Sequence, residues 1–270
     1  MRYDRLLEGK RALITGGANG LGRACALLFA EHGAIVTIAD IDAANGEAAL
    51  AELRSIEPAC VFYPVDLRDE GDINAMCGAY LNAFGAPDVW LNSAGMIKLG
   101  FVDELACEAL DDMMSINLVA PMLIMNRLVP AMIEKRGGSV VQLASEYALT
   151  GYNAASGYAA TMGGLHAMTN TFAADCAQYG VRVNCLLLGA GTGAMAALKA
   201  ADMTHKESKQ LWGAITPLWR KAEAREVANA ALFLASDMAS YITGEALFVN
   251  GGQHIVAHNE IFRAGGWWVK

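Results

Sequence analysis

Two groups of residues in this chain have types and spacings that could do chemistry. In the first, Thr15-Gly16-Gly17-Ala18-Asn19-Gly20-Leu21-Gly22 lies between a short apolar run, Arg11-Ala12-Leu13-Ile14, and a stretch over residues 21–30 with helical apolar spacing. The glycines therefore fall at a strand-to-helix turn. Gly16 permits the tight turn, Gly20 lets the backbone approach a phosphate, and Gly22 allows close helix packing. A helix starting here offers free N–H groups and a partial positive charge to anions. About 20 residues beyond, Ile35-Val36-Thr37-Ile38-Ala39-Asp40 ends in a carboxylate. Asp40 can accept hydrogen bonds from ribose hydroxyls and would repel a 2′-phosphate. No lysine or arginine in the glycine turn or just after Asp40 offsets that repulsion, so a dinucleotide here should be NAD(H) rather than NADP(H).

The second group is Ser145, at the end of an apolar run over residues 139–145, and Tyr158, near the start of a small-residue-rich helical stretch over residues 156–178. A free tyrosine titrates near 10, so about one in a thousand is ionised at pH 7. Met162, one helical turn beyond Tyr158, supplies neither charge nor donor. Residues 156–179 contain no lysine or arginine. His166 lies two turns on, too far to reach the phenol, and reads as a packed or surface histidine. Lys98 is a candidate surrogate cation, with a solvated loop lysine as the plainer reading.

The elements that must position these groups are set by composition. A chain of 270 residues with 54% apolar content can bury a full core, and helical and strand-like segments alternate to the end with no linker, repeat or low-complexity stretch, so one domain is expected. Net charge is −8 and no basic run occurs, which argues against a nucleic-acid partner or an anionic membrane surface. The opening residues are mostly charged or polar, and no apolar run approaches the ~20 residues of a membrane span, so a cytoplasmic protein is expected. The six cysteines, Cys25, Cys60, Cys77, Cys107, Cys176 and Cys185, form no C-x-x-C pair and suit reduced thiols packed as small hydrophobes, with no metal site.

The glycine turn, Asn92-Ser93-Ala94-Gly95, Ser145 and Tyr158 occur in the order of the short-chain dehydrogenase/reductase (SDR) family, which the chain resembles over residues 10–252. The resemblance implies an α/β fold: a Rossmann-type doubly wound parallel sheet of about seven strands with helices on both faces. It implies a variable substrate lid over residues 190–218 and a tail over 253–270. It assigns cofactor contacts to Gly16, Asn19, Gly20, Leu21, Gly22 and Asp40, and the adenine ring to Asp66 and Leu67. Asn92, Ala94, Gly95, Tyr158, Gly189 and Thr192 complete that set. Tyr158 would exchange a proton with the substrate oxygen, Ser145 would hydrogen-bond the same oxygen, and Asn117 would anchor a proton-relay water.

The family's Tyr-x-x-x-Lys reads here as Tyr158-Ala159-Ala160-Thr161-Met162. The family lysine binds the nicotinamide ribose and lowers the tyrosine pKa. Its loss implies a rate roughly 10- to 1000-fold lower at neutral pH. Leu188-Gly189 replaces the family's Pro-Gly, and Gly193 stands where a threonine holds the carboxamide, with Thr192 one residue early. Clustered departures favour natural divergence over a single engineered change. The adenine half is intact and the nicotinamide half eroded.

That pattern points to an NAD-type SDR chain with weak or no turnover. It suits the non-catalytic partner of an active paralogue, as in some heteromeric family members including a hydroxyacyl-CoA dehydrogenase. The alternative is an active secondary alcohol dehydrogenase or ketone reductase using Tyr158 and Ser145 without the lysine. Dimers or tetramers would form through residues 108–134 and 156–178. Met195, Met203, Leu211, Trp212 and Trp219, with Tyr147 and Tyr152, could line a small-molecule pocket, and Trp267 and Trp268 should dock on a neighbouring subunit or on their own.

Overall fold

The computed structural model describes residues 4–101, 103–192 and 216–255. Within them the apolar runs become seven parallel strands: β1 Arg11–Thr15, β2 Ile35–Asp40, β3 Val61–Pro64, β4 Val89–Asn92, β5 Gly138–Ser145, β6 Val181–Leu188 and β7 Ala246–Val249. Their order in the sheet is β3-β2-β1-β4-β5-β6-β7. Such strands are covered on both faces, which is why β1, β2, β4 and β5 read as nearly unbroken apolar segments. The order reverses beside β1, where β1 pairs with β2 on one side and β4 on the other. A crevice opens at that switch point, outside the carboxyl ends of the strands.

Helices occupy both faces. On one, Cys25, Leu28 and Phe29 of α1 (Gly20–Glu31) meet Val227, Ala231 and Leu232 of α7 (Ala224–Ala235) over Ile14 and Val36. α2 (Ala43–Ile56) adds Ala49, Leu50 and Leu53. On the other face, Tyr80 of α3 (Glu70–Phe84) packs with Ile124 and Leu128 of α5 (Ala120–Lys135) and Leu165 and Met168 of α6 (Ser156–Cys176). These cover Leu13, Trp90, Val140 and Val183. Five of the six free cysteines are buried in this packing, and Cys107 is exposed.

Three expectations change. The long helix is not a uniform rod over 108–134: α4 (Cys107–Met114) passes through one π-helical turn, Ser115–Val119, into α5. The run Cys107–Lys135 is therefore 29 residues long, and by length and composition it could cross a membrane, contrary to the reading from apolar runs. Its apolar content is a core-facing stripe: Met113, Ile124, Met125, Leu128, Val129 and Met132 are all buried. α6 ends at Cys176, two residues short of the expected 178, and a 3₁₀ turn, Ala177–Tyr179, follows.

Candidate active site

One cavity of about 820 Å³ lies at the carboxyl edge of the sheet. The loops after four strands line it: Gly16, Asn19, Gly20 and Leu21 after β1, Ser93 to Ile97 after β4, Ser145 and Tyr147 after β5, and Leu188, Gly189, Ala190 and Thr192 across the end of β6. Tyr158 and Met162 enter from α6, and Lys221 to Ala224 and Val227 from the start of α7. That is the size and place of a small-molecule site in an open α/β sheet.

The glycine turn is shaped by close approach. Gly16 has φ +73°, and a Cβ there would lie 2.6 Å from the Ala94 nitrogen, so the turn presses on the β4 loop. Gly20 has φ +54°, and its missing Cβ would point into open space, which leaves the backbone bare to the cavity. A Cβ on Gly22 would collide with the Gly16 carbonyl, which fits the expected packing role although Gly22 does not line the cavity. Asn19, at the N-cap of α1, does not cap the helix; its side chain donates to Asp42 at 3.3 Å. No acidic residue stands in the first turn of α1.

Asp40, at the end of β2, accepts from the backbone N–H of Ala18 (3.0 Å) and of Asp42 (3.1 Å), which ties the glycine turn to the strand. Asp66 forms a salt bridge with Arg68 at 2.6 Å, whose hydrogen bonds hold its carboxyl below the usual carboxylate range. Neither aspartate, nor Leu67, lines the cavity. Asn92 does not line it either: its buried amide accepts from Thr15 Oγ1 and donates to Gln142 Oε1, both at 2.8 Å, stitching β1, β4 and β5. Ala94 and Gly95 carry the wall that the sequence assigned to that turn as a whole.

Ser145 is the last residue of β5 and Tyr158 the third of α6, and both line the cavity, with the Ser145 hydroxyl near enough to the phenol to favour its charged form. The Ser145 hydroxyl also accepts from the Tyr147 N–H at 3.2 Å and reaches the Leu188 carbonyl at 3.4 Å. Burial raises the Tyr158 phenol above its ordinary value, and the Ser145 hydrogen bond opposes this more weakly. No cation contributes. Met162, 3% exposed, fills the place one turn on and faces the same cavity. The Tyr147 ring stands edge-on to Tyr158 at 6.1 Å and stacks on Tyr152 at 4.6 Å, so aromatic surface flanks the phenol.

The other expected members are placed differently. Asn117 sits in the π turn and does not line the cavity; its side chain accepts from the Met96 N–H at 2.8 Å and donates to the Met96 carbonyl at 2.9 Å and to Thr161 at 3.1 Å. It clamps the β4 loop to α6. Thr192 lines the cavity, but its hydroxyl donates to the Gly189 carbonyl at 2.6 Å. Lys98 is exposed and lines no part of the cavity, which removes it as the surrogate cation. His166 reaches Cys185 at 3.8 Å and Asn170 at 3.4 Å, a packed histidine as expected. Leu218 and Trp219 are exposed. The rest of the lid, with Gly193, Met195, Met203, Leu211 and Trp212, and the tail with Trp267 and Trp268, lie outside the described residues.

Sequence reasoning missed Lys221, which lines the cavity, and Glu146, buried beside Ser145. Glu146 was legible as a carboxylate next to a strand end that the fold must cover. It accepts from Asn250 Nδ2 at 2.6 Å, and burial pushes its carboxyl up to about 7 despite that bond. A raised acid binds more protons folded than unfolded, so its stabilising contribution is complete below about pH 4.5 and is lost as pH rises through about 7. Glu146→Gln should therefore melt several degrees higher than the parent at pH 8 and close to it at pH 5, measured by thermal denaturation at both pH values. Equal melting differences at the two pH values would exclude a titrating carboxyl here.

With this geometry in view, the chain matches the family model described as enoyl-(acyl carrier protein) reductase over residues 16–254. It is 33% identical over 246 residues to the 2,5-dichloro-2,5-cyclohexadiene-1,4-diol dehydrogenase LinX of Sphingobium indicum, covering 91% of this chain and 96% of that one. It is 32% identical over 249 residues to the 3-oxoacyl-[acyl-carrier-protein] reductase FabG of Thermotoga maritima, covering 91% and 98%. The crystal structure of levodione reductase superposes with a TM-score of 0.86 at 30% identity, covering 93% of this chain and all of that one. The chain belongs to the short-chain dehydrogenase/reductase family of oxidoreductases.

Proposed function

We propose that this chain is an NAD-type oxidoreductase for a secondary alcohol or ketone whose proton-transfer step is slow at neutral pH. The observation that carries the reading is Ser145 and Tyr158 lining one cavity with the glycine turn, with buried Met162 where a cation would stand. The uncapped start of α1 and the bare Gly20 backbone fit a dinucleotide diphosphate, and the spare lone pairs of Asp40 fit ribose hydroxyls. A bound nicotinamide supplies the hydride acceptor or donor. The protein's part in oxidation is to take the hydroxyl proton onto the Tyr158 oxygen while Ser145 holds the substrate oxygen in place. Because burial raises that phenol and nothing charged lowers it, the reactive phenolate is scarce at pH 7.

Two consequences follow. NAD should bind at least tenfold more tightly than NADP, since Asp40 meets the 2′-phosphate with like charge. Any oxidation by the purified chain should speed up about tenfold per pH unit from 7 to 9, because the phenolate fraction rises tenfold per unit below the phenol's pKa. Calorimetry with both nucleotides and a pH-rate profile measure these, and a flat profile between pH 7 and 9 would remove Tyr158 as the proton acceptor.

So slow a site suits a subunit assembled with a competent paralogue, and this is the assembly we favour over an active homo-oligomer. Association of either kind is supported by apolar side chains left bare on the family's interface helices: Val119 and Met122 are 47% and 40% exposed. Ordinary turnover by the chain alone at pH 7 would reverse that preference.

A further inference from the structure

We infer that Lys221 is a second, cationic ligand for the cofactor diphosphate, added to the glycine turn from the opposite wall of the cavity. This rests on the NAD reading above. Lys221 is the one basic residue among those that line the cavity in the described structure. The residues around it are already committed: Arg220 pairs with Glu226 at 2.6 Å, Arg225 pairs with Glu31 at 2.7 Å, and Glu223 and Glu226 close a capping box at the start of α7. The Lys221 ammonium has no acidic partner among the described residues.

Its backbone is held on both sides. The Ala222 N–H donates to the Gly191 carbonyl at 3.0 Å, and the Arg220 carbonyl accepts from Thr216 at 3.2 Å. The wall on which it stands runs on through Ala222, Glu223, Ala224 and Val227, and Val227 packs in the same core cluster as α1. Lys221 and the bare Gly20 backbone at the start of α1 thereby border the same cavity, where the ammonium is exposed and without an acidic partner among the described residues. The other use for a cation in this cavity is the phenol. Tyr158 feels burial and Ser145 but no positive charge, so Lys221 does not serve it. A dianionic diphosphate in the cavity that both line is the group that satisfies the free N–H groups of α1 and the ammonium together.

The test compares ADP-ribose, which carries the diphosphate, with adenosine, which lacks it, by calorimetry on the full-length chain. Lys221→Gln should weaken ADP-ribose about 5- to 20-fold and Lys221→Glu further, while adenosine binding stays unchanged. The slope of log affinity against log salt should flatten in Lys221→Gln. If ADP-ribose affinity is the same in parent and both variants, the assignment to Lys221 fails while the NAD reading stands. If adenosine weakens in parallel, the residue is merely structural and the proposal fails. If the parent binds neither ligand at millimolar concentration, the NAD reading itself fails and takes this proposal with it. A Lys221→Gln change that moves the pH-rate profile would place the ammonium on Tyr158 instead and overturn the assignment.

Discussion

Met162→Lys should raise turnover at pH 7 by about 10- to 1000-fold and move the rising limb of the pH-rate profile toward neutrality by one to three units. The reason is local. Met162 stands one helical turn past Tyr158, is 3% exposed and lines the cavity, so a lysine there would bring its ammonium to the phenol's side of the site. The phenol is now held un-ionised by burial, with one hydrogen bond from Ser145 opposing it. A cation at 4–6 Å favours the phenolate by one to three units, and each unit is a factor of ten in the reactive form at pH 7. The lysine must itself be desolvated, but the cavity is open enough for its head to reach water and ribose hydroxyls. Steady-state rates at pH 7 and 9 for parent and variant measure the effect, with a circular-dichroism melt to show that both fold. A folded Met162→Lys protein with parental turnover at both pH values would mean that the slow step lies elsewhere, and the eroded carboxamide side around Leu188 and Gly189 would be the next suspect.

Tyr158→Phe should cost about 100- to 10,000-fold of whatever turnover the chain has, the usual range for removing a general acid or base. It should also cancel the gain from Met162→Lys when the two are combined, because the new ammonium acts only through the phenol. This non-additivity separates a proton-transfer role from a packing one. The Tyr158 ring meets Tyr147 edge-on and packs beside the core of the α6 face, and phenylalanine keeps that contact, so the fold should survive. Cofactor affinity should change little, since the glycine turn and Asp40 are untouched. A double variant that keeps the lysine's full gain would show that the ammonium works on the nicotinamide ribose rather than on the phenol.

Much of this molecule was legible in its residues. Strand after strand is an apolar run because a parallel sheet is covered on both faces, so the alternation of strands and helices followed from pattern, while the count of about seven strands came from the family resemblance. The pairing of Gly16 with a positive φ and of Gly20 with open space was also readable, since glycine types at fixed offsets report backbone demands that no other residue meets. Ser145 and Tyr158 were readable as a pair through the family resemblance, and a strand end and the start of the next helix in a parallel sheet do share one edge.

Other features were not legible. Asn92 belongs to the expected turn motif, but its amide is spent inside the sheet on Thr15 and Gln142, partners on strands far away in sequence. Lys98 and Lys221 are both loop lysines. Only the packing of α7 on α1 puts Lys221 on the cavity wall, while Lys98 turns to solvent. The π turn at Ser115–Val119 left no mark in the apolar spacing, because Asn117 is held there by Met96 and Thr161, contacts made across elements. The long apolar run Cys107–Lys135 was undercounted for a related reason: scattered charges interrupt it in sequence, yet they lie on the side away from the core stripe.

The sequence by itself determined the kind of fold, the edge of the sheet at which chemistry could occur, and the absence of an ammonium one turn past Tyr158, since these depend on local periodicity and residue type. Tertiary structure alone decided which charges face the cavity and how burial sets the phenol and Glu146. Those outcomes depend on solvent exclusion and on partners brought together from distant segments, and chain order carries no record of either.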